Sequence, residues 1–416
     1  MTGFKADRSR VIRDLENLAA LVSKTEPGYT RLSFSEEDRL ARSHLAGLME
    51  KEAGLEVRID AAGNLIGRGP GSMPGPALAL GSHLDTVRGG GRFDGVAGIV
   101  AGLEALRLFR QEGLITRHPL ELIVFLAEEP SAFGLSTIGS RAMAGRLTKK
   151  HLEGCQDEKG WTLAEGIRVM GGSPEDINKA RRTPNDLLAY LELHIEQGPE
   201  LDRQGVPLGL VTGIVGIHRG RIEVMGRNDH AGTTPMSLRK DALTAAAEIV
   251  LALEDVCRRR KDLVGTVGRL EVYPNAANVV PGQVKMILEL RGLNEVVIGE
   301  ALASLESLLE RIEVGRGVKI DFEHQVSSNP VVFNPRMLNL LRQVCRESGH
   351  GYLELPSGAG HDASHLAEVV PTGLIFVPSR EGRSHCPEEW TEYGHICLGA
   401  EILVRAIKAL DEEEPI

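Results

Sequence analysis

The sequence predicts an α/β fold carrying a second, inserted α+β domain with an antiparallel sheet. Three observations predict it. Short apolar runs over 77–80, 120–127 and 187–193 read as buried strands, with helical patterns between them. From about 208 the texture changes to strands flanking two long helical patterns, and from about 328 the first texture returns. At 416 residues the chain is also too long for one ordinary core.

Taken in order, residues 9–24 and 36–53 place apolar side chains at helical spacing, as with Val11, Leu15, Leu18 and Val22. Residues 55–59 alternate as a strand. Gly67-Arg68-Gly69-Pro70-Gly71 looks like a phosphate loop, but Pro74 and Pro76 follow it in place of a helix, so it reads as a hairpin turn. The run 77–80 reads as a buried parallel strand. It leads into Gly81-Ser82-His83-Leu84-Asp85-Thr86 and then Gly89-Gly90-Gly91-Arg92-Phe93-Asp94-Gly95, and a helical pattern over roughly 96–109 leads out. His83, Asp85 and Asp94 thus sit on the loop after a strand, where open α/β sheets place their ligands. A His and two carboxylates there suit a divalent metal. Alone, the loop reads equally as a polar turn with helix-capping aspartates.

The strand 120–127 ends in Glu128-Glu129-Pro130. Adjacent carboxylates repel and lose hydration unless something positive holds them. A metal would hold one and leave the other to carry a proton; alone, the pair reads as two solvated glutamates before a proline turn. Residues 145–186 are charged and irregular, with short helical pieces. The strand 187–193 runs into His194-Ile195-Glu196-Gln197-Gly198-Pro199, a third strand end with a metal-competent side chain.

In the changed texture, 208–215, 220–225, 264–272 and 283–290 read as strands and 240–259 and 295–312 as helices. A polar loop, Asn228-Asp229-His230-Ala231-Gly232-Thr233-Thr234-Pro235-Met236, lies among them, with Asn278 and Arg291 toward the end. Taken alone, His230 and Asn278 are loop-capping side chains and Arg291 a surface ion pair. Beyond 328, residues 335–348 are helical and 357–362 form a small-residue loop opening a helix. The strand 372–377 runs into Pro378-Ser379-Arg380-Glu381-Gly382-Arg383-Ser384-His385-Cys386-Pro387, and 394–410 is a closing helix.

Composition excludes several classes. Net charge is −10 with both signs interspersed, so there is no basic stripe for nucleic acid and no polybasic segment for a membrane surface. No apolar run approaches the roughly 18 residues of a membrane span. The charged stretch 1–10 lacks the apolar core of a signal peptide. Cys155, Cys257, Cys345, Cys386 and Cys397 are odd in number and form no CxxC pair, which fits free thiols in a reducing cytoplasm.

With His83, Asp94, Glu128, Glu129, His194 and His385 at or beyond strand ends, the sequence resembles the hydantoinase/carbamoylase amidases of the di-zinc aminoacylase/carboxypeptidase superfamily. The marks are GSHLDTV, GGRFDG, AEEPS, ELHIEQGP, HAGTTPM, PNAANVVPG, SGAGHDA and FVPSREGRSH, in one order over nearly the whole chain. The resemblance implies a bilobed architecture. A discontinuous catalytic domain, 1–209 and 328–416, would hold a mixed, mostly parallel sheet flanked by helices. The inserted domain, 210–327, would be a lid and pair two subunits into a homodimer, with lid motion bringing Arg291 and Asn278 to the metals.

The resemblance also implies two divalent metal ions per subunit, zinc or else manganese, cobalt or nickel. Asp94 would bridge them, His83 and His194 completing one site, Glu129 and His385 the other. Asp85 would hydrogen-bond the far nitrogen of His83. A bridging water would be brought near neutral pKa, with Glu128 as its base and later the acid to the leaving nitrogen. His230 would donate to the oxyanion across the dimer. Arg291 would grip the substrate α-carboxylate, with Gln197, Arg219, Asn278 and Gly360 also touching substrate.

Three departures from the usual pattern stand out. Pro130 and Ala132 replace residues of an EEGxRF run, Cys386 follows His385 where Asn is commoner, and His218 stands where Arg or Gln is frequent. His361 is balanced between substrate contact and loop structure. The implied reaction is hydrolysis of an N-carbamoyl-L-amino acid to the amino acid, carbon dioxide and ammonia, with allantoate or β-ureidopropionate as alternative substrates. A non-catalytic homologue that binds a metal or ureido metabolite is the rival class; the retained pair Glu128-Glu129 speaks against it.

Overall fold

The computed structural model describes residues 4–412, in two units. The first holds the chain up to Thr212, Phe333–Leu355 and everything from Gly360; the second holds Gly213–Val332 and Pro356–Ala359. Of the stretch read as lacking a signal peptide, residues 1–3 lie outside the described residues.

The first unit's sheet runs in the order Glu56–Ile59, Leu65–Gly69, Leu120–Phe125, Ala77–His83, Leu187–Ile195, Thr372–Val377 and then Leu208–Ile214, of which residues 208–212 belong to this unit. The four middle strands are mutually parallel, and antiparallel strands flank them. Parallel strands need crossovers that cover both faces, and Ala77–His83, Leu120–Phe125 and Thr372–Val377 are buried along their whole length. The crossover helix Val96–Gln111 is apolar nearly all round and accordingly buried over 96–109. Its two buried charges are paired: Glu104 accepts from Arg10 at 2.6 and 2.7 Å, and Arg107 Nη1 donates to Asp14 at 2.5 Å. From Ala77–His83 the chain crosses to a neighbour on one side, while Leu187–Ile195 lies on the other. The crevice that such a reversal opens at the strands' carboxyl ends begins at His83.

The glycines of Gly67-Arg68-Gly69 are not a hairpin turn; both lie in the strand Leu65–Gly69. Side chains of the preceding segment crowd this strand. A Cβ on Gly67 would stand 2.8 Å from Leu55 Cδ1 and 3.1 Å from Met49 Sδ, so glycine serves packing here.

The second unit has its own core. Its antiparallel sheet is ordered Lys319–Ser328, Gly216–Met225, Gln283–Gly292, Leu263–Tyr273. Burial alternates along Gly216–Met225 and Gln283–Gly292, as one covered face demands. Helices Ala242–Arg258 and Glu295–Arg316 supply the cover through Ala246, Ile249, Leu253, Leu305 and Leu309. Among the described residues no helix is long and apolar enough to cross a membrane.

Candidate active site

Five of the candidate site residues in the first unit stand at or beyond the carboxyl end of a middle strand, and Asp94 lies in the loop that follows Ala77–His83. His83 closes Ala77–His83, His194 lies at the end of Leu187–Ile195, Glu128 and Glu129 follow Leu120–Phe125, and His385 follows Thr372–Val377. Strand pairing sets His83 opposite Phe125 and His194 opposite Phe376, which brings these ends level. Three non-glycine residues here, Ala127, Gln197 and His385, have left-handed backbones with φ of 51°, 57° and 56°. Such conformations are costly and concentrate where a side chain must be aimed.

Asp94 is the hub. Its Oδ1 lies 3.1 Å from His194 Nε2 and 3.6 Å from His83 Nε2. Its Oδ2 lies 3.1 Å from His385 Nε2, which is also 3.2 Å from Glu129 Oε1. One carboxylate thus offers an oxygen to each of two overlapping groups of candidate metal ligands: His83, Asp94 and His194, and Asp94, Glu129 and His385. Imidazole nitrogens with carboxylate oxygens are a donor set suited to zinc and neighbouring divalent metals. Glu128 stands beside them, its Oε2 3.9 Å from His83 Nε2.

The expected side-chain bond from Asp85 to His83 is absent. His83 Nδ1 bonds the Asp85 backbone carbonyl at 2.9 Å, and the carboxylate stays 3.7 Å away. It instead accepts the backbone N–H groups of Glu128 and Glu129 at 3.3 and 3.1 Å. Buried N–H groups must find acceptors, and a short aspartate can reach these two or the imidazole. The tautomer of His83 is still set as a ligand requires, with Nε2 facing Asp94. His194 follows the same pattern: its Nδ1 bonds the Ile195 carbonyl at 2.9 Å.

Electrostatics bind the cluster to positive charge. Burial works against the charged forms of His83 and His194, yet the carboxylates around them prevail and raise both pKa values. Hydrogen bonds that His385 donates to Asp94 and Glu129 lift its pKa to about 10. Burial pushes Asp94 up, but bonds from His194, His385 and His83 outweigh it and hold Asp94 well below its usual range. Protons gather here because carboxylates are in excess; a dication would take their place and release them. Glu128 behaves oppositely: burial, with the charge of Glu129, raises it well above a normal glutamate.

Gln197 donates from Nε2 to Asp94 Oδ2 at 2.9 Å and so holds the hub. Gly360 is exposed in the loop before His361. His361 itself is buried, its ring edge-on to His194 at 4.5 Å.

In the second unit, His230 and Asn278 are neighbours. Val279 pairs with His230, and Ala231 N–H donates to the Asn278 carbonyl at 3.0 Å. Gly232 N–H donates to His230 Nδ1 at 3.0 Å, which leaves the ring proton on Nε2 of this exposed side chain. Arg219 and Arg291 share Glu289, at 2.5 and 2.7 Å, and Arg291 Nη1 donates to the Gly358 carbonyl at 2.6 Å. So part of each guanidinium is already engaged. His218 is buried and bonds His324 Nδ1 at 2.8 Å.

Sequence reasoning missed three buried carboxyls. Glu192 accepts from Ser82 Oγ (3.1 Å), Tyr190 OH (3.0 Å) and Ala363 N–H (3.1 Å). Its signal was its place two residues before His194, hence on the same strand face. Asp362 accepts from Ser140 Oγ at 2.5 Å, and its other oxygen is buried without a hydrogen bond; burial, then the charge of Glu192, raises its pKa. Glu389 accepts the N–H groups of Phe93 and Asp94, and burial, with Asp94 nearby, raises it to about 7.

Comparison with known proteins places this geometry. A model of peptidase family M20/M25/M40 matches residues 79–409. The chain is 40% identical over 413 residues to an N-carbamoyl-L-amino-acid amidohydrolase of Paenarthrobacter aurescens, covering 99% of this chain and 100% of that one. It is 33% identical over 395 residues to an allantoate amidohydrolase of Bacillus subtilis, covering 94% of each. In structure it is similar to an amidase of the hydantoinase/carbamoylase family from Burkholderia multivorans, with a TM-score of 0.92 and 32% identity over 99% of this chain and 100% of that one.

Proposed function

From the premise that the chain belongs to peptidase family M20/M25/M40 and is a hydrolase of carbon–nitrogen bonds in linear amides, we propose that it cleaves N-carbamoyl-L-amino acids to the amino acid, carbon dioxide and ammonia. The observation that carries this reading is the Asp94 carboxylate, one oxygen facing His83 and His194, the other Glu129 and His385, with Glu128 alongside.

Two divalent ions would be held there, zinc or else manganese, cobalt or nickel. When bound, they supply Lewis acidity that eases deprotonation of water and polarises a carbonyl. The rest falls to the chain. Glu128 takes the proton of the water that attacks the ureido carbonyl carbon; as the C–N bond breaks, it returns that proton to the departing nitrogen. His230, with its ring proton on Nε2, donates to the developing oxyanion, and Asn278 beside it binds the same substrate end. Arg291 grips the α-carboxylate, helped by Gly360 and more loosely by Arg219.

The domain assignment 1–209 with 328–416 for catalysis and 210–327 for a lid and homodimer contact belongs to the same proposal, as does a cytoplasmic location. Allantoate is the second candidate substrate, favoured by the Bacillus subtilis relative. Ammonia release measured on metal-replete protein, with carbamoyl-L-amino acids, allantoate and β-ureidopropionate side by side, tests the reading. Carbamoyl-L-amino acids should be the fastest. Preference for allantoate would transfer the assignment, and no release from any ureido acid would overturn it.

A further inference from the structure

Glu389 lies outside every motif that marked the site, yet it touches both halves of it. Its Oε1 accepts the backbone N–H groups of Phe93 at 2.8 Å and Asp94 at 3.1 Å. Its Oε2 accepts the Ser384 hydroxyl at 2.7 Å. The same hydroxyl is 3.3 Å from Asp94 Oδ2, so its single proton goes to Glu389. Glu389 is 2% exposed, a placement its carboxylate tolerates because both oxygens are satisfied.

The surrounding chain is built to bring it there. A Cβ on Gly91 would stand 2.1 Å from Glu389 Cδ, so the glycine is what lets the carboxylate approach the Phe93–Asp94 backbone. The neighbouring Trp390 sets its ring edge-on to Phe93 at 5.4 Å, and its carbonyl accepts from Arg380 N–H at 2.8 Å. Thr391 Oγ1 donates to the Pro378 carbonyl at 3.1 Å, pinning the segment to the end of Thr372–Val377.

We propose that Glu389 is a positioning residue that locks the two groups of ligands into one register, setting Asp94 through its backbone and the His385 loop through Ser384. The inference rests on the reading that these groups hold cations. Outer carboxylates that orient ligands and add negative charge near a metal site commonly govern affinity by 10–100-fold.

The test is calorimetric titration of metal-stripped protein with Mn²⁺ and Zn²⁺, with the absorption spectrum of the Co²⁺ form as a second readout. Glu389→Gln removes the charge and keeps the shape; Gly91→Ala keeps the charge and displaces it. Both should remain folded and lose cation affinity by about 10–100-fold, with an altered Co²⁺ spectrum. Ser384→Ala, which deletes a single hydrogen bond, should weaken affinity in the same direction and serves if either of the others fails to fold. Wild-type affinity and spectrum in the folded variants, whatever happens to their unfolding temperatures, would sink the inference alone. Failure of the wild-type chain to take up either ion would remove the cation reading and this inference with it.

Discussion

Glu128 and Glu129 are adjacent, yet their surroundings assign them different work. Glu129 Oε1 meets His385 at 3.2 Å, whereas Glu128 Oε2 stands 3.9 Å from His83 and lies outside both groups of candidate metal ligands. Glu128→Gln should therefore leave cation content unchanged and cut turnover by roughly 10²–10⁴, the usual contribution of a positioned acid–base group. Metal analysis beside ammonia release checks this; undiminished turnover would remove the base assignment. Gly95 carries a second prediction. Its φ is 67°, and a Cβ there would meet the His83 ring at 2.5 Å. Gly95→Ala should displace His83 and lower cation affinity at least tenfold, read by the same titration. The hub and its partners were legible in sequence because each ends a strand or occupies a glycine-lined loop. Glu389 was not, since nothing local to Glu388-Glu389-Trp390 announces that its oxygens reach across 296 positions to Phe93. Asp85 was visible but given the wrong neighbour, because spacing does not report which buried N–H groups lack an acceptor.

Elements were the easier scale. Periodicity located the helix Pro335–Ser348 and the strand Thr372–Val377 to the residue. It cut short Glu295–Arg316, whose last turn is largely exposed, and it took the glycines of Leu65–Gly69 for a turn. The short helix Ala363–Leu366 carries a pH-dependent element. His365 Nε2 bonds Thr137 Oγ1 at 3.1 Å, and its Nδ1 is buried without a hydrogen bond. Burial, then the charges of Arg141 and Arg146, lowers the ring from 6.5 to about 4, while Glu368 pairs with Arg146 at 2.6 Å. Between those two values the unfolded chain binds a proton that the folded chain refuses, so folding stability falls as pH falls. The loss amounts to roughly 3 kcal/mol at the outside. Asp85, raised by burial to about 6, retains its proton on folding and works in the opposite direction. The diagnostic is therefore a difference: His365→Gln should flatten the decline in stability between pH 6.5 and 4 relative to wild type in urea unfolding. Parallel curves for the two proteins would mean that His365 is not the group responsible.

At the scale of the whole molecule, the proposal divides labour between chains. The residues assigned to cations and to proton transfer lie in the first unit, while His230, Asn278 and Arg291 lie in the second. His230 is exposed, and its ring accepts at Nδ1 from Gly232 N–H, so the ring N–H lies on Nε2, where a substrate or another subunit's site would meet it. If the inserted domain pairs two subunits and His230 serves the neighbour, activity depends on which chain carries which defect. A His230→Ala chain keeps Glu128, and a Glu128→Gln chain keeps His230. In a mixed dimer one of the two sites is then intact and the other carries both lesions. Each homodimer should be nearly inactive. After exchange, with heterodimers verified by mass, a statistical mixture is half heterodimer, so activity should recover to about a quarter of wild type. A mixture with verified heterodimers that stays as inactive as its parents would place His230 in its own chain's site, because every site would then still carry one of the two defects.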